Sequence, residues 1–382
     1  YEEVEEDEAI SGTRATRRTR PAAEPGAIKE VIDMMSAAKR PIIFAGGGAF
    51  FSGSAPELER FVDVTKTPFY TAPMSRGLVP EDNAVSFQGA RSTAMREADF
   101  VLVVGTRLNW MMQYGQRFAP DAKIVQIDID GRELGHNRNI DLGIQADAKA
   151  ALGQLLAEAE ARDGEFADRL ESDWVIRLRE DNDRRAEQSA PLLNSDAQPI
   201  HPLRLCKEIR EFLDRDAIVS VDGNEILHFG RQSIPTNVPG HRLNSGVTGT
   251  MGVGLPYGIG AQLAKPDAQV LVLHGDGSMG QNAMEIDTAV RHNLPVVTVI
   301  SNNAGWTART PGQRKPGREL GFTAYHKMAE SLDAYGEEVT DPAEIKPALD
   351  RAYSSGKAAV INVIVEPTAA GVSRAWGGSR ME

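Results

Sequence analysis

Along this chain, short apolar runs that end at glycine or at Asp/Asn alternate with stretches whose apolar residues recur every three to four positions. Residues 28–38 carry helical spacing (Ile28, Val31, Ile32, Met35), as in a helix with one buried face. Residues 41–45 then run apolar without alternation and meet Gly46-Gly47-Gly48 directly. That pattern predicts a strand covered on both faces. Further strands are predicted over 100–104, ending at Gly105, and over 123–129. From His201 the alternation restarts: a helix over 203–213, a strand over 217–221 and a turn at Asp222-Gly223-Asn224. A Gly-rich segment (246–260) and a strand over 270–273 come next, then a helix over 285–291. A strand over 296–300 runs into Asn302-Asn303, and a last strand covers 359–365. Strands alternating with helices predict an α/β fold of two doubly wound parallel-sheet domains.

The expected organisation is a linker (1–25), a central Rossmann-like domain (26–157), a charged connector (158–200), a second α/β domain (201–367) and a C-terminal tail or lid (368–382). The connector is dense in both charge signs and punctuated by Pro191 and Pro199, the composition of a solvated helical linker.

Composition narrows the function classes. A length of 382 residues supports two or three domains. Acidic minus basic residues, 54 − 42, leave a net charge of −12, which disfavours nucleic acid as a partner. The single cysteine, Cys206, excludes a disulfide framework and a Cys-zinc site and fits a cytoplasmic location. No apolar run reaches the ~20 residues of a membrane span.

Chemistry concentrates at two predicted strand ends. Gly275-Asp276-Gly277-Ser278 and Asn302-Asn303 are separated by 24 residues between the Gly-Asp-Gly and the Asn pair. Adjacent carboxyl ends of a parallel sheet are where such sheets bind ligands. Asp276, Asn303 and the backbone carbonyl of Gly305 can there surround one hard cation, with Mg²⁺ taking its other oxygens from phosphate and water. Gly275 and Gly277 permit close backbone approach, and Ser278 opens a helix whose amides suit a diphosphate. Gly-Asp-Gly-Ser alone fits a capped turn equally well; the pair of motifs is what points to a site.

This spacing resembles the signature of thiamine-diphosphate enzymes. Residues 245–256 (Ser-Gly-Val-Thr-Gly-Thr-Met-Gly-Val-Gly-Leu-Pro) resemble the segment these enzymes place beside the aminopyrimidine. The resemblance implies that the Gly249 carbonyl accepts from the cofactor amine and that Met251 wedges the cofactor. It also makes Asn224 a diphosphate contact. Ala90-Arg91-Ser92, Arg107-Leu108-Asn109-Trp110, residues 126–130 (Gln-Ile-Asp-Ile-Asp) and Asn137-Arg138 succeed one another as in the oxalyl-CoA decarboxylase and 2-hydroxyacyl-CoA lyase group. In that group the central domain can hold ADP, for which Gly47, Arg107 and Asp128 are the corresponding positions. Where oxalyl-CoA decarboxylases read Gly-Gly-Ile-Tyr, this chain reads Ala304-Gly305-Trp306-Thr307. That departure, and a tail reading Ala369-Ala370-Gly371-Val372, point to the lyase branch, with Trp306 and Met251 at the reacting centre. Arg309, Arg314, Lys315 and Arg374 are candidates for coenzyme A phosphates.

The implied activity is reversible cleavage of a 2-hydroxyacyl-CoA to formyl-CoA and an aldehyde or ketone. Alternatives are an acetolactate-synthase-like carboligase on 2-oxo acids and a non-catalytic cofactor- or nucleotide-binding subunit. The family's activating glutamate belongs to an N-terminal pyrimidine-binding domain not found in this chain. The opening Tyr1-Glu2-Glu3-Val4 resembles the stretch that leaves the last strand of that domain. The expectation is therefore that its own missing domain, or a subunit carrying it, completes the site within a homodimer or tetramer.

Overall fold

The computed structural model describes residues 19–162, 164–309 and 316–369. The first unit runs α1 (Pro25–Ala37), β1 (Pro41–Ala45), α2 (Gly47–Ser52), α3 (Ala55–Thr65), β2 (Phe69–Thr71), α4 (Arg91–Glu97), β3 (Phe100–Val104), β4 (Lys123–Asp128), β5 (Leu142–Gln145) and α5 (Ala148–Glu160). Its strands form one parallel sheet in the order β2-β1-β3-β4-β5. Every residue of β1 and β3 is buried, which is why these strands read as unbroken apolar runs. Phe44 and Phe118 meet edge to face at 6.3 Å in this core.

The connector departs from expectation. It contains α6 (Asp173–Leu193), whose Trp174, Val175 and Leu178 belong to the first core. The Trp174 indole donates to the Pro41 carbonyl at 3.1 Å. Asp181 is fully buried, accepts from Thr93 at 2.7 Å and pairs with Arg184 and Arg185. The charges are thus the outer face of a half-buried helix. Pro191 lies inside its last turn and costs it one amide hydrogen bond without ending it. The expected linker also docks where it is described: Ala23 is buried and Arg20 pairs with Asp147 at 2.8 Å.

The second unit runs α7 (Pro202–Phe212), β6 (Ile218–Asp222), α8 (Glu225–Ser233), β7 (Arg242–Leu243), α9 (Gly254–Ala264), β8 (Val270–Gly275), α10 (Asp276–Asn282), α11 (Glu285–Arg291), β9 (Val297–Asn302), α12 (Tyr325–Ser331), β10 (Tyr335–Val339), α13 (Ile345–Ser354) and β11 (Ala359–Ile364). The parallel sheet is ordered β10-β11-β9-β8-β6-β7. Alternate residues feed separate cores on its two faces, Leu271 and Leu273 on one, Val270 and Val272 on the other. Strands β8 and β9 extend past their apolar runs, pairing Gly275 with Ser301. Their polar carboxyl ends are therefore ladder residues.

The two units touch through polar contacts. Thr236 N–H donates to Glu81 Oε2 at 3.0 Å, and Arg76, paired with Glu81, donates to the Ile234 carbonyl at 3.0 Å. Gly77, at φ +84, lies so close to the Val238 carbonyl that a Cβ would strike it.

Candidate active site

The chain leaves β6 towards β7 on one side and reaches β8 and β9 on the other, so the strand order reverses between β6 and β8. Loops leaving such a point diverge and open a crevice at the carboxyl ends. Asp222-Gly223-Asn224, Gly275-Asp276 and Asn302-Asn303 are the three strand ends there.

Asp276 begins α10 and is 1% exposed. The Gly305 N–H donates to Asp276 Oδ2 at 2.8 Å and to Asn303 Oδ1 at 3.1 Å. The three predicted metal positions thus converge. Gly305 enters through its amide, whereas the expected ligand is its carbonyl. Burial pushes the Asp276 carboxyl up to about 6, opposed by the amides of Gly277 and Gly305. Among the described residues no group of three or more His, Cys, Asp or Glu could hold a metal. One carboxylate with one amide oxygen is a weak set for zinc but fits Mg²⁺ completed by phosphate and water.

The Asn pair divides its labour. Asn302 Oδ1 accepts from Ala304 N–H at 3.2 Å, and its Nδ2 donates to the Thr323 carbonyl and to Asn362, each at 3.1 Å. That side chain holds the turn in which Ala304 adopts φ +59, a conformation costing ~1–3 kcal/mol outside glycine. Asn303 is then free to face Asp276.

One cavity is lined by Gly223, Asn224, Met251, Gly275, Asp276, Gly277, Ser278, Asn303, Gly305 and Trp306, with further residues behind them. Gly249, at φ +64, stands on the same loop as Met251 but outside this lining, with open space around it. Trp306 covers Gly277, where a Cβ would lie 2.7 Å from the indole. The Ser278 hydroxyl is committed inward, 3.0 Å from the Gly275 carbonyl, 3.2 Å from that of Asp222 and 3.0 Å from His274 Nδ1. The first-turn amides of α10 are what an anion would meet.

Two residues of the site, Tyr325 and His274, escaped sequence reasoning, and a third, Asp222, was read only as part of a turn. Tyr325 donates to the Asp276 carbonyl at 2.9 Å and carries no local signal of it. Asp222 is buried at the end of β6, its pKa raised by that burial and opposed by four amides. His274 is buried beside it and driven down to about 3 by desolvation; within an apolar strand it reads as a core residue.

In the central domain, Arg107 is 3.2 Å from Glu133 and mostly exposed. Asp128, raised by burial, lies in the field of Arg107 and accepts from Asp130 N–H at 3.0 Å. Gly47 has space around it, but Gly46 and Gly48 press against Gly105 and Thr106. Arg309 donates to the Ala304 carbonyl at 3.2 Å; Arg314, Lys315 and Arg374 lie outside the described residues. The Trp110 indole donates to the Val247 carbonyl at 3.1 Å, bringing the central domain onto the Gly-rich loop.

Residues 28–155 match the family model of the thiamine pyrophosphate enzyme central domain, and 227–363 that of the C-terminal TPP binding domain. A 2-hydroxyacyl-CoA lyase of Arabidopsis thaliana is 32% identical over 96% of this chain and 67% of its own length. The acetolactate synthase large subunit of Mycobacterium tuberculosis is 32% identical, covering 92% and 64%. The oxalyl-CoA decarboxylase of Escherichia coli is 30% identical, covering 96% and 66%. The chain thus spans about two thirds of the length of these relatives.

Proposed function

Because the chain belongs to the thiamine pyrophosphate enzyme family, we propose that it forms the central and cofactor-binding domains of a carbon–carbon lyase. Its substrate is a 2-hydroxyacyl-CoA, cleaved reversibly to formyl-CoA and an aldehyde or ketone. The observation that carries the choice of branch is the Trp110 indole on the Val247 carbonyl. The Arg107-Leu108-Asn109-Trp110 string, on which the likeness to acyl-CoA enzymes rests, touches the loop bearing Gly249 and Met251.

Asp276 and Asn303 would hold Mg²⁺ through side-chain oxygens and Gly305 through its carbonyl, its amide being given to those same side chains; Asn224 with the Gly277 and Ser278 amides would hold the diphosphate. Met251 and Gly249 orient the remainder of the cofactor, and Trp306 closes the metal end of the cavity against water. Bound thiamine diphosphate supplies the electron sink for C–C cleavage. Gly47, Arg107 and Asp128 are assigned to ADP, and Arg309 to the coenzyme A end of the substrate. The acid that activates the cofactor comes from a further domain or a partner subunit, in a cytoplasmic homodimer or tetramer.

The equal identity to an acetolactate synthase supports a second reading, a carboligase on 2-oxo acids. The complete protein should be incubated with 2-hydroxyacyl-CoAs, oxalyl-CoA and pyruvate, and the products identified by mass spectrometry. Formyl-CoA with an aldehyde from the hydroxyacyl thioesters is the expected result. Acetolactate from pyruvate without formyl-CoA would overturn it in favour of the second reading.

A further inference from the structure

Asp222 is a buried acid to which the proposed chemistry gives no task. Its Oδ2 accepts from Gly254 N–H at 2.8 Å, and the amides of Gly223, Gly252 and Val253 face the same carboxylate. The fit is to bare backbone: a Cβ at Gly254 would lie 2.7 Å from Asp222 Cβ and 2.8 Å from His274 Nε2. On the opposite side, Asn282 Nδ2 donates to the Gly252 carbonyl at 2.7 Å. Gly252 adopts φ +88, and a Cβ there would lie 2.9 Å from Gln281 Cβ. The peptide from Gly252 to Gly254 is therefore held from β6 through its amides and from α10 through a carbonyl. Helix α10 begins at Asp276, and the residue before Gly252 is Met251, which lines the cavity.

We propose that Asp222, together with Asn282, is a positioning residue that seats the Gly252–Gly254 backbone and so fixes Met251 in register with Asp276. The two ends of the cofactor site are then set by one mechanical unit, its metal end by the start of α10 and its Met251 end by the peptide that α10 and β6 grip. A carboxylate suits the task because its two oxygens accept from several amides at once. An asparagine in its place turns an NH₂ group towards N–H donors. The inference rests on thiamine diphosphate as the ligand.

The test separates the phosphate end of the ligand from the rest. Binding of thiamine diphosphate and of inorganic pyrophosphate, each with Mg²⁺, is measured by calorimetry for the wild type, Asp222→Asn and Asn282→Ala. Both variants should bind pyrophosphate within about threefold of wild type and thiamine diphosphate about tenfold or more weakly. Should Asp222→Asn not fold, Asn282→Ala, at an exposed position, reads the same split. Equal weakening of both ligands, or unchanged thiamine diphosphate affinity, overturns the positioning role while leaving the cofactor reading intact. A wild type that binds pyrophosphate but not thiamine diphosphate overturns both.

Discussion

Two crevices of this molecule lie at points where the order of parallel strands reverses, and the glycines that end β3 and β8 are packed differently. Between β1 and β3, a Cβ at Gly48 would lie 2.8 Å from Gly105 Cα, and one at Gly105 2.5 Å from Ala49 N. That crevice is packed tight at Gly46, Gly48 and Gly105 and keeps open space only at Gly47, and Arg107 beside it is paired with Glu133. Between β6 and β8, a Cβ at Gly275 would meet nothing closer than 3.8 Å. There Asp276 is buried with no salt bridge among the described residues, its charge met mainly by backbone amides. A glycine-rich strand end therefore signals close approach. What marks a ligand is a charge that the fold has desolvated, left without a paired counter-ion and placed on a cavity wall, as Asp276 is and the buried Asp222 is not.

Removing that charge should break the contrast most completely. Asp276→Ala is expected to weaken Mg²⁺-dependent binding of thiamine diphosphate more than about 100-fold by calorimetry; unchanged affinity would sink the site assignment. Asp276→Asn gives a signed stability test. In the folded chain the carboxyl titrates at about 6, against an ordinary value of 3.8. Between these values the folded state keeps the proton and the unfolded state has lost it, so rising pH lowers stability through this group. The penalty is absent below about pH 4 and complete above about pH 6, where the gap is worth about 3 kcal/mol. Metal-free Asp276→Asn should therefore resist urea better than wild type at pH 7 and equally at pH 4. Mg²⁺ affinity of the wild type should fall as pH drops below about 6.

The legibility of these features in the sequence depends on where each signal lay. β1, β3 and the placing of Gly-Asp-Gly and Asn-Asn at strand ends were readable, because apolar runs stop there and the chemistry begins. The polar ends of β8 and β9 were not: His274 and Asn302 interrupt apolar character while continuing the ladder. Strands β2 and β7, at three and two residues, are too short to show a period. In α6, the buried positions Trp174, Val175 and Leu178 were masked by the charges around them. Tyr325 reaches Asp276 only through tertiary packing. Asp222 was legible as a turn residue, but three of its four amide partners lie some thirty positions downstream, beyond any local pattern.

The second break falls on the tightly packed strand end of the central domain. Gly105→Ala places a side chain at φ +58 and 2.5 Å from Ala49 N. It should destabilise the protein by about 2–4 kcal/mol in urea. Thiamine diphosphate affinity of the folded protein should stay within about twofold. Gly277→Ala pushes instead against the Trp306 indole and should show the reverse balance, a loss of affinity exceeding the loss of stability. If Gly105→Ala lowered affinity as much as Gly277→Ala does, the two crevices would be doing the same work and the contrast would fail.

The smallest effect is expected where the two regions meet. Trp110 leaves the loop after β3 and donates to Val247 on the Gly-rich loop at 3.1 Å, yet its side chain is 56% exposed. A single neutral hydrogen bond at such a position is worth about 0.5–1.5 kcal/mol. Trp110→Phe keeps the aromatic body and removes only the donor. Calorimetry should find thiamine diphosphate about two- to threefold weaker and Mg²⁺-pyrophosphate unchanged, because Val247 precedes Gly249 and Met251 and is not among the residues lining the cavity with Asp276. An unchanged affinity for both ligands would mean that the central domain abuts the cofactor loop without steadying it. The Arg107-Leu108-Asn109-Trp110 string would then lose the contact that ties it to the chemistry.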